Sequence, residues 1–157
     1  MAEVLFYHLT RAPLEAALPQ LLEATLARGW RAELRGREPG LLDWLDVKLW
    51  TYRDDAFLPH GRAGVGGDAA RDRDQPVLLT TGATGVDAEV LFLVDQAEVD
   101  LSEAARVTRV CILFDGNDPA ALDTARQQWK AVADAGIKAV YWSQESGAWQ
   151  KKVEANA

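Results

Sequence analysis

The chain has 157 residues, of which 48% are hydrophobic and 26% charged, which is an ordinary balance for one globular domain spanning residues 1–157. Its formal net charge of −7 argues against direct binding of duplex DNA, because a broad phosphate-contacting surface needs an excess of Lys and Arg. The sequence has one cysteine, no visible signal peptide and no apolar run of membrane-spanning length, so we expect a cytoplasmic protein that does not contact a membrane.

The first third of the chain follows the pattern strand, helix, strand. Residues 4–9 are apolar and β-prone, residues 14–26 carry Leu and Ala at helical spacing, and residues 30–34 form a short candidate strand. Thr10 is a candidate N-cap for the helix, and Gly29 stands where a helix commonly stops. This pattern predicts a βαβ unit and therefore a pair of parallel strands.

The remainder continues to alternate between strands and helices. Apolar spacing predicts a helix at residues 41–49, whereas a turn-rich stretch indicates an exposed loop at about 61–75. Further strands are predicted at 76–80, 89–94, 109–114 and 138–143, with a helix at about 120–135 that Asp118 can cap and Gly136 closes. The alternation predicts an α/β fold with three α/β/α layers and a mostly parallel central sheet.

The sequence offers no recognisable catalytic or metal-binding set. His8 and His60 have no Cys, Asp or Glu at metal-ligand spacing, and Cys111 sits within an apolar strand, where a buried thiol is expected. The glycine-rich residues 64–67 lack the strand, the helix and the Lys of a phosphate-binding loop. We therefore predict no catalytic residue, no metal and no cofactor.

One enzymatic alternative remains open. Open α/β sheets bind ligands beyond the carboxyl ends of their strands, which could place Asp115 and Asn117 at a site for a nucleotide or other small ligand. In the simpler interpretation, Asp115 belongs to the turn that follows its strand.

Two blocks of sequence carry a resemblance to a known family. Residues 45–52 read Leu-Asp-Val-Lys-Leu-Trp-Thr-Tyr, and residues 54–61 read Asp-Asp-Ala-Phe-Leu-Pro-His-Gly. Together with the early Phe6-Tyr7 pair, Pro-Val-Leu-Leu at 76–79 and the later helix containing Arg126, these blocks resemble the chi subunit of bacterial DNA polymerase III, in the same order over nearly the whole chain.

The resemblance implies a non-catalytic adaptor that acts in DNA replication as part of the clamp-loader complex. It implies two kinds of partner: the acidic C-terminal tail of single-stranded DNA-binding protein, and a psi subunit or another clamp-loader component. A helicase that uses the psi face is a further partner that the resemblance allows. Polymerase activity belongs to a different subunit of the holoenzyme.

The resemblance also indicates the residues that meet these partners. Arg126, Trp129 and Lys130 share one helix face, where two cations and an indole could hold an acidic peptide that ends in an aromatic residue. In the alternative, this is a solvated face on which Trp129 covers the core. Trp50 and Phe57 match the positions that meet psi, with packing beneath the 61–74 loop as their alternative.

Overall fold

The computed structural model describes residues 2–10, 12–52, 58–62, 75–81, 88–98, 101–144 and 149–156. Within these ranges the strands are β1 (Glu3–Leu9), β2 (Ala32–Arg35), β3 (Gly61–Arg62), β4 (Val77–Thr80), β5 (Val90–Leu93), β6 (Arg109–Asp115), β7 (Lys138–Ser143) and β8 (Gln150–Ala155). The helices are α1 (Leu14–Ala27), α2 (Pro39–Thr51), α3 (Leu101–Arg106) and α4 (Pro119–Asp134). Every strand and helix predicted from the sequence overlaps one of these elements.

The described strands form one sheet in the order β3-β4-β2-β5-β6-β1-β7-β8. Their pairings are parallel, with the exception of the antiparallel pair β7 and β8. The prediction of a mostly parallel sheet is therefore confirmed. The expectation that β1 pairs with β2 is wrong, since β5 and β6 lie between them. A βαβ pattern indicates that two strands run in the same direction, but strands from later in the chain can be inserted between them.

Alternate side chains of the central strand β1 enter two separate hydrophobic cores. Leu5, Tyr7 and Leu9 pack with α1 and α2 on one side of the sheet, whereas Val4 and Phe6 pack with α3 and α4 on the other. Because side chains alternate across a strand, this sorting confirms the predicted α/β/α layers. It also places α2 and α4 on opposite faces of the sheet.

The helix ends follow the sequence signals with one exception. Asp118 Oδ1 accepts a hydrogen bond from the Ala120 amide at 3.0 Å, and Gly29 and Gly136 both adopt a φ of +78° just beyond their helices. Thr10 does not cap α1, because the residue immediately before the helix is Pro13, and no side chain caps that end. An N-cap side chain reaches only the first turn, so a residue four positions before Leu14 is too far away.

Two stretches without predicted secondary structure contain strands. Gly61–Arg62, at the start of the predicted loop, pairs with β4 as β3, while residues 63–74 lie outside the described part of the chain. The polar C-terminal segment forms β8, an exposed edge strand. Edge strands are often rich in charged side chains, so an apolar pattern could not reveal this one. No helix among the described residues combines the length and apolar character that crossing a bilayer requires.

Candidate partner-binding sites

Helix α4 presents one face to the sheet and another to solvent. Ala121, Ala125 and Val132 are buried against the strands, while Arg126 and Lys130 are exposed. The small alanines let the helix approach the sheet closely, and the 3.6-residue period separates the apolar stripe from the basic residues. The predicted site residues therefore lie along the border of a helix that covers the core.

A groove with a volume of about 490 Å³ lies between α4 and the strands β1, β7 and β8, which are neighbours at one end of the sheet. Its wall combines apolar, aromatic and cationic side chains from these four elements. The lining residues are His8, Leu122, Ala125, Arg126, Trp129, Tyr141, Ser143, Lys152 and Val153. A mostly apolar cleft with a few polar groups is the usual form of a ligand site.

Trp129 covers the core and also lines the groove, so the two interpretations of this residue are compatible. Its ring makes edge contacts with Phe6, at a centroid distance of 5.2 Å, and with Tyr141 at 6.0 Å. It also packs against the core that lies between the sheet and helices α3 and α4. The same ring lines the groove. Trp129 is thus held rigidly by the core while part of it faces the cleft, which suits a side chain that must present a fixed apolar surface.

His8 is placed among aromatic groups rather than alone on its strand. Its Nδ1 atom lies 2.7 Å from the Tyr141 hydroxyl, and its ring stacks on Phe114 at a centroid distance of 5.1 Å. Both His8 and Tyr141 line the groove. Sequence reasoning missed these residues, because β1 and β7 are neighbours only in the folded sheet.

Helical spacing suggests Arg126 and Lys130 as the two cations of the site, whereas the groove is lined by Arg126 and Lys152. Arg126 lines the groove, as does Lys152 on β8, but the exposed Lys130 is not among the lining residues. Lys138 on β7 forms ion pairs with Glu3 at 3.7 Å and Glu154 at 3.8 Å. Among the described residues, the Lys and Arg side chains that line this groove come from α4 and β8.

A second candidate surface lies on the opposite face of the sheet, along α2. Trp44, Val47 and Trp50 are exposed to 41%, 58% and 46% and follow one another at intervals of three residues. The indole of Trp50 rests on the buried imidazole of His60 at a centroid distance of 4.1 Å. Phe57, the other residue predicted for this face, lies outside the described residues.

A second cavity, of about 500 Å³, lies beyond the carboxyl ends of β1, β5 and β6. Its wall includes Asp115 and Asn117, the residues named in the enzymatic alternative. Asp115 Oδ1 accepts a hydrogen bond from the Asn117 amide at 2.9 Å, which is the turn expected there. The described lining also includes the carboxylates of Glu15, Asp95 and Asp118.

The cysteine is an ordinary core residue. Cys111 is buried in the centre of β6, and burial raises the pKa of its thiol from 9.0 to about 12. The thiolate is therefore strongly disfavoured, in keeping with the predicted strand thiol. Among the described residues, no group of three or more His, Cys, Asp or Glu side chains is arranged to hold a metal ion.

Comparison with known proteins agrees with the residue motifs. A family model described as DNA polymerase III chi subunit, HolC, matches residues 1–140. The search of curated proteins finds no match. The C-terminal domain of the DEAD-box protein Dbp5 is similar in structure, with a TM-score of 0.56 and 14% identity over 92% of this chain and 91% of that chain. At this identity the likeness concerns the α/β fold alone. Because the family model spans most of its length, the chain belongs to the DNA polymerase III chi subunit family, whose members are non-catalytic accessory subunits of that polymerase.

Proposed function

We propose that this protein is a cytoplasmic, non-catalytic adaptor of the clamp-loader complex, and that it binds the acidic C-terminal tail of single-stranded DNA-binding protein in the groove beside α4. The observation that carries the proposal is the pairing of an apolar cleft, partly formed by Trp129, with the cationic side chain of Arg126. A peptide ending in an aromatic residue offers the matching chemistry.

The overall charge of the protein makes a local site necessary. With a net charge of −7, the chain as a whole repels an acidic peptide, so attraction must come from cations concentrated where the peptide binds. The guanidinium of Arg126 is suited to a carboxylate, since its planar N–H groups can donate two parallel hydrogen bonds. The rings of Trp129 and Tyr141 offer apolar surface for an aromatic terminal side chain.

Calorimetric titration with a peptide of acidic residues ending in Pro-Phe tests this function. We expect micromolar binding that weakens as salt rises from 50 to 300 mM, because ions screen the charge contacts. Amidation of the terminal carboxylate should weaken binding. Loss of an Arg126 contact to a carboxylate should cost about 1.5–3 kcal/mol.

The matched control for Arg126→Ala is Arg106→Ala, on α3 in the same layer of the fold but outside the groove. It should leave the affinity unchanged. Absence of binding by the unmodified protein at low salt would overturn the proposal, as would equal loss of affinity in the two variants.

The α2 surface supports a second partner of the psi type, or a helicase that uses the same face. Exposed tryptophan side chains are frequent anchors of protein interfaces, and Trp50 is held against His60 rather than loosely disposed. Because α2 and α4 lie on opposite faces of the sheet, one protein could hold both partners at once. Trp50→Ala should abolish co-purification with clamp-loader components while preserving peptide binding; loss of both, or of neither, would contradict two separate surfaces.

A further inference from the structure

β8 completes the groove through an irregularity in its pairing with β7. Val153 lies opposite Tyr141 and Lys151 lies opposite Trp142, so Lys152 is an additional residue between two regular pairs. Such a bulge changes the direction in which neighbouring side chains point. In a regular strand, Lys152 and Val153 would face opposite sides of the sheet, yet here both line the groove.

The bulge brings a charge next to apolar surface. Val153 lines the groove together with the apolar side chains of Leu122, Trp129 and Tyr141, and the basic residue Lys152 lies beside Val153 on β8. Arg126 contributes the other cation from the helix. Lys130, which helical spacing pairs with Arg126, is exposed but does not line the groove.

We propose that Lys152 is a peptide-binding residue of this groove, and that it takes the role of second cation which helical spacing alone would give to Lys130. This inference rests on the proposed function. The ligand class is an extended acidic peptide with a free terminal carboxylate: Arg126 and Lys152 pair with two of its carboxylates, and the apolar wall between α4 and β8 receives its aromatic end.

Lys152 lies outside the part of the chain that matches the family model. The family model matches residues 1–140, whereas β8 comprises Gln150–Ala155. β8 thus supplies Lys152 and Val153 to the groove. The other lining residues lie within residues 1–140, except Tyr141 and Ser143, which follow closely.

Titration of the full chain with the acidic peptide ending in Pro-Phe tests the inference. Lys152→Ala should weaken binding about tenfold or more, whereas Lys130→Ala should change it by less than about twofold. Lys152→Ala should also reduce the dependence of affinity on salt, a change that a purely structural defect would not produce. Lys152→Arg, which keeps the charge, should restore binding.

Lys151→Ala is the matched control, because Lys151 is the preceding exposed residue of β8 and lies outside the lining of the groove. It should bind like the unmodified protein. Binding by the unmodified protein together with unchanged affinity in Lys152→Ala would overturn this inference alone. Absence of binding by the unmodified protein at low salt would overturn the proposed function and this inference with it. Thermal unfolding of each variant shows whether the sheet edge remains intact.

Discussion

The imidazole of His60 is bound to Asp46, although 14 residues separate them in the sequence: His60 Nε2 lies 2.9 Å from the Asp46 carboxylate oxygen Oδ1 and 3.1 Å from the Asp46 carbonyl oxygen. On its other side, Nδ1 lies 2.7 Å from the carbonyl oxygen of Leu58. Trp50, one helical turn after Asp46, contacts the same imidazole with its ring tilted by 37°. The two sequence blocks that carry the family resemblance therefore meet in one cluster.

This cluster predicts a strong energetic coupling between Asp46 and His60. His60 is only 6% exposed, so His60→Gln should reduce the free energy of unfolding by about 1–3 kcal/mol by removing buried hydrogen bonds. Urea unfolding of His60→Gln, Asp46→Asn and the double variant measures the coupling, which should be about 1 kcal/mol or more. Additive effects of the two substitutions would show that the contact contributes nothing to stability.

Gly116 is predicted to be essential for the shape of the groove. A Cβ atom added at this position would stand 1.8 Å from His8 Nε2, a distance that forces the imidazole to move. Since His8 stacks on Phe114 and contacts the Tyr141 hydroxyl, Gly116→Ala should destabilise the fold by about 1–3 kcal/mol and weaken peptide binding.

Thermal unfolding and peptide titration check the Gly116→Ala prediction. Gly40→Ala is the control, because a Cβ atom there meets nothing within 4 Å and Gly40 lies in the first turn of α2. It should be neutral or slightly stabilising, since Ala favours helix over Gly. Equal thermal stability and equal peptide affinity of Gly116→Ala and Gly40→Ala would contradict the steric argument.

The buried ion pairs of Arg35 should contribute far more to stability than an exposed pair. Arg35 donates hydrogen bonds to Glu103 Oε1 at 2.8 Å and to Glu33 Oε2 at 2.8 Å, and the contact with Glu103 joins β2 to α3. The hydrogen bond to Glu103 is the main cause that raises the pKa of Arg35. Arg35→Met removes a guanidinium from the buried Glu33 carboxylate and should lower the free energy of unfolding, measured in urea, by about 3–5 kcal/mol.

Lys151→Met provides the comparison for Arg35→Met. Lys151 pairs with Glu154 at 3.5 Å on the exposed strand β8, so Lys151→Met should lower the free energy of unfolding by about 1 kcal/mol or less. If Arg35→Met and Lys151→Met lowered the free energy of unfolding by similar amounts, burial would not explain any difference in strength between the two ion pairs.

The buried thiol of Cys111 predicts a loss of stability in alkaline solution. Its pKa is 9.0 when unperturbed and about 12 in the fold, so above pH 9 the unfolded chain releases a proton that the native state retains. The stabilising effect is complete below pH 9 and declines as the pH rises toward 12, by at most about 1.4 kcal/mol per pH unit. Burial also raises the pKa of Tyr7, which acts in the same direction.

Unfolding at several pH values between 8 and 11 measures this dependence. Cys111→Ala should show a shallower decline, while retaining the contribution of Tyr7. In the unmodified protein, a thiol reagent at pH 8 should label Cys111 only as fast as the chain unfolds. Rapid labelling of the native protein would contradict the burial of the thiol.

The sequence by itself determined the layers and most of the elements of this protein. Apolar runs such as residues 109–114 and the helical spacing before Gly29 and Gly136 are local patterns, and local sterics and burial decide them. The Asp118 cap is equally local. Family membership also followed from sequence, because the motif blocks are read directly from the chain.

Only the tertiary structure decided which strands are neighbours and which residues share the groove. The separation of β1 from β2, the bulge at Lys152, and the contact of His8 with Tyr141 all depend on pairings between distant segments. Helical spacing could associate Lys130 with Arg126, since both belong to α4. It could not reveal Lys152, because strand register and sheet order are set by long-range packing rather than by local pattern.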